Sequence, residues 1–352
     1  MISGNEALGE AAVQAGCKGY FGYPITPQNE LTAYMSRRML EENRVFVQAE
    51  SELAAINMVL GAAASGVRTM TTSSSPGISL MQEAISYMAG DELPCIIANI
   101  ARGGPGLGNI AGSQSDYFQS VKGGGHGDYN LIVIAPATVQ EMFDFTFTAF
   151  DLADKYRTPV IILADGYLGQ MMEPTEIKKK EIINIKKNWA LTGAKGRKSN
   201  KINSMYLGEG ALERHNQKLQ EKFKKIKKEL CLVEEILTSS ATENSADRDA
   251  EIILVAYGTA SRICKSVVRK LREKNIKAGL IRPITLWPFP EQTVKKAASN
   301  AKFILAVEMS AGQMVEDVRL AVESKSPVYF YGRTGGGIPE EEKIIEIIKS
   351  KL

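Results

Sequence analysis

The chain has 352 residues, 44% of them hydrophobic and 24% charged, with a formal net charge of +3; this composition suits two buried cores and excludes a disordered or collagenous chain. It contains no run of about 18 apolar residues to span a bilayer, and its opening MISGNEALGE carries acids where a secretory signal would carry cations, so a soluble cytoplasmic protein is expected. The four cysteines, Cys17, Cys95, Cys231 and Cys264, are scattered, with no CxxC and no histidine at ligand spacing, so no zinc or iron–sulfur site can be built from this chain alone.

From residue 5 to about 170, short β-branched or apolar runs alternate with longer stretches of helical period. Strands are expected at 17–23, 44–49, 67–73, 95–101, 131–135 and 159–164, and helices at 28–43, 52–65, 78–90 and 138–156. That alternation predicts an α/β unit, a parallel sheet with helices on both faces. Its first junction, 20-YFGYPITPQNE-30, sets Pro24 and Pro27 around Ile25 and Thr26. Proline fixes its own φ and pushes the residue before it to extended backbone, so the link is stiff.

Residues 174–248 break the rhythm, and between Lys178 and Lys228 stand 16 Lys and Arg against 4 Asp and Glu. Within this basic segment Leu219, Phe223, Ile226 and Leu230 recur at helical spacing. The reading is a solvated amphipathic helix crossing between domains, with a surface for an acidic partner subunit as the alternative. Too few aromatic residues are interleaved for nucleic acid to be the expected partner. A second α/β unit follows, with strands at 251–257, 276–281, 302–308 and 327–332 and helices at 260–274, 291–300 and 312–324. The expected organisation is therefore 1–173, a basic and partly helical linker over 174–248, and 249–352.

In an open parallel sheet, ligands gather beyond the carboxyl ends of the strands. Three such ends carry chemistry: Thr26, the acids Glu50 and Glu52 of 48-QAESELAA-55, and Arg102 of 98-ANIARGGPGLG-108. Each has a plainer reading. An acid in the first turn of a helix complements the helix dipole, for about 0.3–1 kcal/mol, and an arginine before a glycine-rich loop can simply pair with a nearby carboxylate. The glycines at 103, 104, 106 and 108 do not fit GxGxxG, and no GxxxxGK[ST] loop is present. With His126 and His215 as the two histidines, no Ser-His-Asp arrangement is attractive.

Taken together, GYPITP, the E-x-E before an alanine-rich helix, 71-TTSSSPGISLM-81 and the RGGP loop ending in Gln114-x-Asp116 resemble the alpha subunit of 2-oxoacid:ferredoxin oxidoreductases. The resemblance runs over nearly the whole chain, and 123-GGGHGDY-129 and 280-LIRPITLWPFP-290 bring it nearest the branched-chain form, 2-oxoisovalerate (3-methyl-2-oxobutanoate):ferredoxin oxidoreductase. It implies a thiamine-diphosphate pyrimidine-binding domain followed by a C-terminal transketolase-like α/β domain. Glu52 would hydrogen-bond the aminopyrimidine ring and favour its imino tautomer, with Glu50, Tyr23 and Pro24 also at the cofactor. Thr26 and Arg102 would meet the substrate's polar atoms and its carboxylate, and Gln114 and Asp116 would support them. His126 would line the pocket or, on the plainer reading, serve only the loop.

The chain lacks the GDG motif with which thiamine enzymes hold the diphosphate and Mg²⁺. The resemblance therefore implies a beta subunit for the diphosphate and Mg²⁺, a ferredoxin-like subunit for [4Fe–4S] clusters, a gamma subunit, and an active site between chains. The implied reaction is oxidative decarboxylation of a branched-chain 2-oxoacid to acyl-CoA and CO₂, with coenzyme A as substrate and ferredoxin as acceptor. A second substrate carboxylate would want a second cation, for which the 103–130 loop offers Lys122 and His126. The competing readings are 2-oxoglutarate or pyruvate as substrate, a lipoamide-linked decarboxylase, and a noncatalytic scaffold.

Overall fold

A computed structural model describes residues 1–178, 180–183, 185–237 and 249–352. The first part of the chain runs β1 (Ile2–Ser3), α1 (Gly4–Gln14), β2 (Gly19–Gly22), α2 (Asn29–Glu41), β3 (Val45–Gln48), α3 (Glu52–Ala64), β4 (Thr69–Ser73), α4 (Pro76–Gly90) and β5 (Ile96–Ala101). It continues through α5 (Tyr117–Val121), β6 (Ile132–Ile134), α6 (Val139–Tyr156), β7 (Val160–Asp165), α7 (Gly166–Gln170) and β8 (Met172–Glu173). After α8 (Ala211–Glu229) and β9 (Val233–Ile236) come β10 (Ile252–Val255), α9 (Gly258–Arg272), β11 (Ala278–Pro283), β12 (Thr285–Trp287) and α10 (Glu291–Ala298). β13 (Phe303–Glu308), α11 (Met314–Val322), β14 (Val328–Gly332) and α12 (Glu341–Lys349) complete the chain.

Each expected strand is present, and the strands gather into a seven-stranded sheet in the order β12-β6-β7-β5-β4-β2-β3 and a five-stranded sheet in the order β14-β13-β10-β11-β9. Their central strands pair in parallel and are buried on both faces, which is why β5 and β7 read as mainly apolar runs, interrupted by Asn99 and closed by Asp165. Each sheet ends in an antiparallel strand that the sequence pattern does not announce. β12 lies within the second apolar rhythm yet pairs with β6 of the first sheet, and β9, beyond the basic segment, pairs with β11 of the second. Pro283 and Pro288 leave β12 only three residues long, and an edge strand tolerates such neighbours.

Helix α1 is also absent from the sequence-based expectation. It is buried nearly all round, including Leu8, Ala11, Ala12 and Glu10, so it has no polar stripe to mark its period. Its start was nonetheless written in the chain as a capping box, Ser3 and Glu6 each bonding the other's backbone N–H.

Helix α8 does not cross solvent between two bodies. Its buried face, Leu219, Phe223 and Ile226, packs on the core, with Phe223 edge-on to Trp287 at 5.8 Å. Lys218 and Lys222 both pair with Glu92, and the Tyr156 hydroxyl donates to Glu229 at 2.8 Å. The two sheets are joined as firmly. Arg282 on β11, 2% exposed, donates to both oxygens of Glu141 on α6 at 2.9 and 2.6 Å, and through Nε to Glu234 on β9 at 2.6 Å. Among the described residues, no helix is long and apolar enough to cross a membrane.

Arg282→Met leaves Glu141 without its cation and Glu234 with Lys265 alone, and is expected to cost about 3 kcal/mol in urea unfolding. Lys222 gives a pH signature. Burial, with the neighbouring charges of Arg157 and Lys218, pushes its pKa down from 10.5 to about 8 against the pull of Glu92. Between those two values the unfolded chain holds a proton that the folded one has released, so this lysine makes stability rise as pH climbs through the window and costs most below it. Urea midpoints measured across that range should rise more steeply in the native protein than in Lys222→Met.

Candidate active site at the strand ends

Four strand ends on one edge of the first sheet supply the site. After β2, the stiff YPITP link carries Thr26, which is half-buried and whose Oγ1 accepts from Asn29 Nδ2 at 3.2 Å. Tyr23 and Pro24 of the same link are exposed.

After β3, the E-x-E splits. Glu50 is exposed, whereas Glu52 is 5% exposed in the first turn of α3, behind the N-cap Ser51 that accepts from Ala54 N at 3.2 Å. The Glu52 carboxylate has no hydrogen-bond or ion-pair partner among the described residues.

After β4, Ser73 and Ser74 are buried and α4 begins at once. Position 77 is glycine there, and a Cβ would stand 2.0 Å from Ser73 Oγ and 2.5 Å from Glu52 Oε1, so those side chains would have to move for any other residue. After β5, Arg102 is 7% exposed, and its Nη1 and Nη2 donate to the carbonyls of Thr26 at 2.9 Å and Leu107 at 3.3 Å. It forms no ion pair among the described residues. A buried guanidinium satisfied only by neutral carbonyls is costly unless an anion joins it.

Contacts link these residues in a single line: Arg102 bonds the Thr26 backbone, Ser75 Oγ lies 3.0 Å from Arg102 N, and Gly77, two residues on, abuts Glu52. Along that line Ser73 Oγ, Ser74 Oγ and Arg102 Nε are buried with no partner among the described residues. Buried polar atoms almost always find one, so this concentration fits a bound polar group. A carboxylate beside free hydroxyls suits a heteroaromatic ring that both donates and accepts hydrogen bonds, and a buried arginine suits a carboxylate.

The structure does not bring His126 to these residues. It is exposed near the far end of α4, its carbonyl accepting from Ser86 Oγ at 2.6 Å and its ring edge-on to Tyr87 at 5.9 Å. From Gly77 to Ser86 the helix rises about 14 Å. Lys122 is also removed from the strand ends, paired with Asp317 of α11. Sequence reasoning singled out none of Ser73, Ser74, Ser75, Gly77 or Asn99 as site residues. A signal existed: a triple serine before Pro-Gly, and an asparagine inside the apolar strand CIIANIA.

Comparison with known proteins gives the family of the chain. The family described as "Pyruvate flavodoxin/ferredoxin oxidoreductase, thiamine diP-bdg" matches residues 10–235, and "Pyruvate:ferredoxin oxidoreductase core domain II" matches residues 250–344. The chain is 48% identical over 350 residues to the ketoisovalerate oxidoreductase subunit VorB of Methanothermobacter marburgensis, covering 99% of this chain and 97% of that one. It is 36% identical over 365 residues to the 2-oxoglutarate synthase subunit KorA of Methanocaldococcus jannaschii, covering 97% of each.

Among solved structures, 2-oxoglutarate:ferredoxin oxidoreductase from Magnetococcus marinus, with 2-oxoglutarate, coenzyme A and succinyl-CoA bound, superposes with a TM-score of 0.86 at 26% identity. That match covers 99% of this chain, which spans 64% of the other's length. A split gene transketolase, at a TM-score of 0.62 and 14% identity over 100% of this chain and 98% of that one, shares the fold. The chain thus belongs to the pyruvate flavodoxin/ferredoxin oxidoreductase family and carries its thiamine diphosphate-binding domain.

Proposed function

We propose that this chain is the pyrimidine-side subunit of a thiamine-diphosphate-dependent 2-oxoacid:ferredoxin oxidoreductase. The complex converts a branched-chain 2-oxoacid and coenzyme A to acyl-CoA and CO₂, with electrons passing to ferredoxin. The observation that carries the substrate reading is the solitude of Arg102. It offers a buried cation for one carboxylate, while Lys122 is taken by Asp317 and His126 lies beyond reach along α4. A 2-oxoacid with a second carboxylate finds no second cation in that loop, whereas an apolar branched chain needs none. The VorB relatives, at 48 and 47% identity, support the same choice.

Arg102 receives the substrate carboxylate, and the Thr26 hydroxyl, steadied by Pro24 and Pro27, meets the adjacent oxygen. Bound thiamine diphosphate supplies a nucleophilic carbon for the keto group and an electron sink once CO₂ has left. Glu52 would hold its aminopyrimidine half, keeping or moving a proton at a carboxyl oxygen, with the free hydroxyls of Ser73 and Ser74 beside it. Tyr23, Pro24 and Glu50, exposed in the single chain, border the cofactor on the side a beta subunit would cover.

That beta subunit brings the diphosphate site and Mg²⁺, a ferredoxin-like subunit the [4Fe–4S] clusters, and a gamma subunit completes a cytoplasmic complex. The cysteines support this division, since Cys17, Cys95 and Cys264 are buried and Cys231 is exposed, all four unpaired. The same reading divides the chain at 1–173, 174–248 and 249–352, with β9 and β12 exchanged across the divisions.

The test is anaerobic viologen reduction by the copurified complex, supplied with coenzyme A and thiamine diphosphate, on 2-oxoisovalerate, pyruvate, 2-oxoglutarate and an arylpyruvate. Fastest turnover is expected on 2-oxoisovalerate, and a preference for 2-oxoglutarate would remove the reading of Arg102 as a lone cation. Glu52→Gln is expected to slow turnover by about 10²–10⁴ with assembly intact; unchanged turnover would instead support a scaffold. Gly77→Ala should act in the same direction by displacing the Glu52 carboxylate.

A further inference from the structure

The backbone that carries Arg102 is held by a network of its own. Ser75 has φ 27° and ψ −81°, a conformation that costs a residue with a side chain about 1–3 kcal/mol and persists only where neighbours over-determine it. Here they do. Ser75 N donates to Asn99 Oδ1 at 3.1 Å, and Ser75 Oγ lies 2.7 Å from Asp116 Oδ2, 3.0 Å from Arg102 N and 3.2 Å from Arg102 O. Asn99 Nδ2 donates to the same Asp116 oxygen at 2.8 Å.

A hydroxyl has one proton, and an ionised carboxylate can only accept. The Ser75 proton therefore goes to Asp116, at the shortest of these distances, and the freed lone pairs take the Arg102 N–H. Asp116 in this way sets the direction of the bonds that grip Arg102. Among the described residues it does so without a cation: its side-chain hydrogen bonds are to Ser75 and Asn99, and burial pushes its carboxyl up against those two bonds. A carboxylate is a costly choice for such a place if packing were its only purpose.

The segment bearing Asp116 is also fixed from behind. Gln114 exchanges bonds with Met309 at 2.9 Å each and donates to Tyr257 O at 2.8 Å, while Gln313 brackets Ser115 O and Phe118 N at 2.7 Å each. The second sheet thus holds Asp116, Asp116 holds Ser75, and Ser75 holds Arg102.

We propose that Asp116 is a positioning residue for the substrate carboxylate: through Ser75 it fixes where the Arg102 guanidinium stands and so sets affinity for the 2-oxoacid. The inference rests on the reading of Arg102 as the carboxylate receptor. It predicts that removing the acceptor loosens substrate binding and spares the chemical step.

The experiment uses the complete copurified complex with Asp116→Ala, Asp116→Asn, Ser75→Ala, the Asp116→Ala/Ser75→Ala double variant and Arg102→Gln. Asp116→Ala and Ser75→Ala should each raise KM for 2-oxoisovalerate about tenfold, the scale of one lost hydrogen bond to a charged group, with kcat changed by less than about threefold. The double variant should be no worse than the worse single, because both break one network. Asp116→Asn, whose amide oxygen can still accept, should recover most of the affinity.

Two competitive inhibitors separate positioning from a loosened fold. 2-Hydroxyisovalerate, which keeps the carboxylate, should weaken about tenfold in Asp116→Ala, while the uncharged 3-methyl-2-butanone should inhibit as before. Equal weakening of both, or an unchanged KM in both Asp116→Ala and Ser75→Ala, overturns the inference; Ser75→Ala decides alone if the other variant fails to assemble. If Arg102→Gln raises KM and these variants do not, only this inference fails. If Arg102→Gln leaves KM unchanged, the carboxylate receptor is misassigned and both readings fall together.

Discussion

The strand-end site depends on a missing side chain. Glu52 and Ser73 occupy the volume that a Cβ at position 77 would need, so these side chains keep their present places only because residue 77 has none. That placement brings an acid on one element against hydroxyls on another, and it requires α4 to begin immediately after β4. The abrupt start leaves Ser75 in a strained conformation, and the strain is held by bonds from Asn99, Asp116 and Arg102. Packing, backbone strain and polar chemistry are thus one arrangement at this edge, a concentration expected of functional sites.

Much of this was legible in the chain. Parallel strands buried on both faces announce themselves as apolar runs, and the rule that ligands collect at their carboxyl ends directs attention to Thr26, Glu52 and Arg102 before any coordinates are known. Residue type and spacing alone do not say which of Glu50 and Glu52 turns inward; the family resemblance points to Glu52, and the start of α3 is what buries it. His126 shows the opposite limit. A residue can lie in the same loop as Arg102 and still be carried along a helix to its other end.

The elements missed by pattern share a cause. Helix α1 is buried all round, while β9 and β12 are short edge strands that take their partners from distant sequence. None carries a period that its own residues dictate. Helix α12 is a different case, since Ile344 and Ile348 lie one turn apart on its buried face and were readable at that spacing. The basic segment misleads in another way: most of its lysines are exposed, yet α8 is fastened to the core by its few apolar residues and by a lysine drawn in beside Glu92.

The exchange of β12 between units bears on how the protein fails. β12 covers the open edge of β6, and a bared edge strand offers a row of unpaired N–H and C=O groups to any other chain. Should the C-terminal sheet come away, which loss of the Arg282 joint makes easier, the first sheet would be left with a sticky margin. The joint between the sheets is then also a guard against aggregation, and the halves of this chain are poor candidates for separate expression.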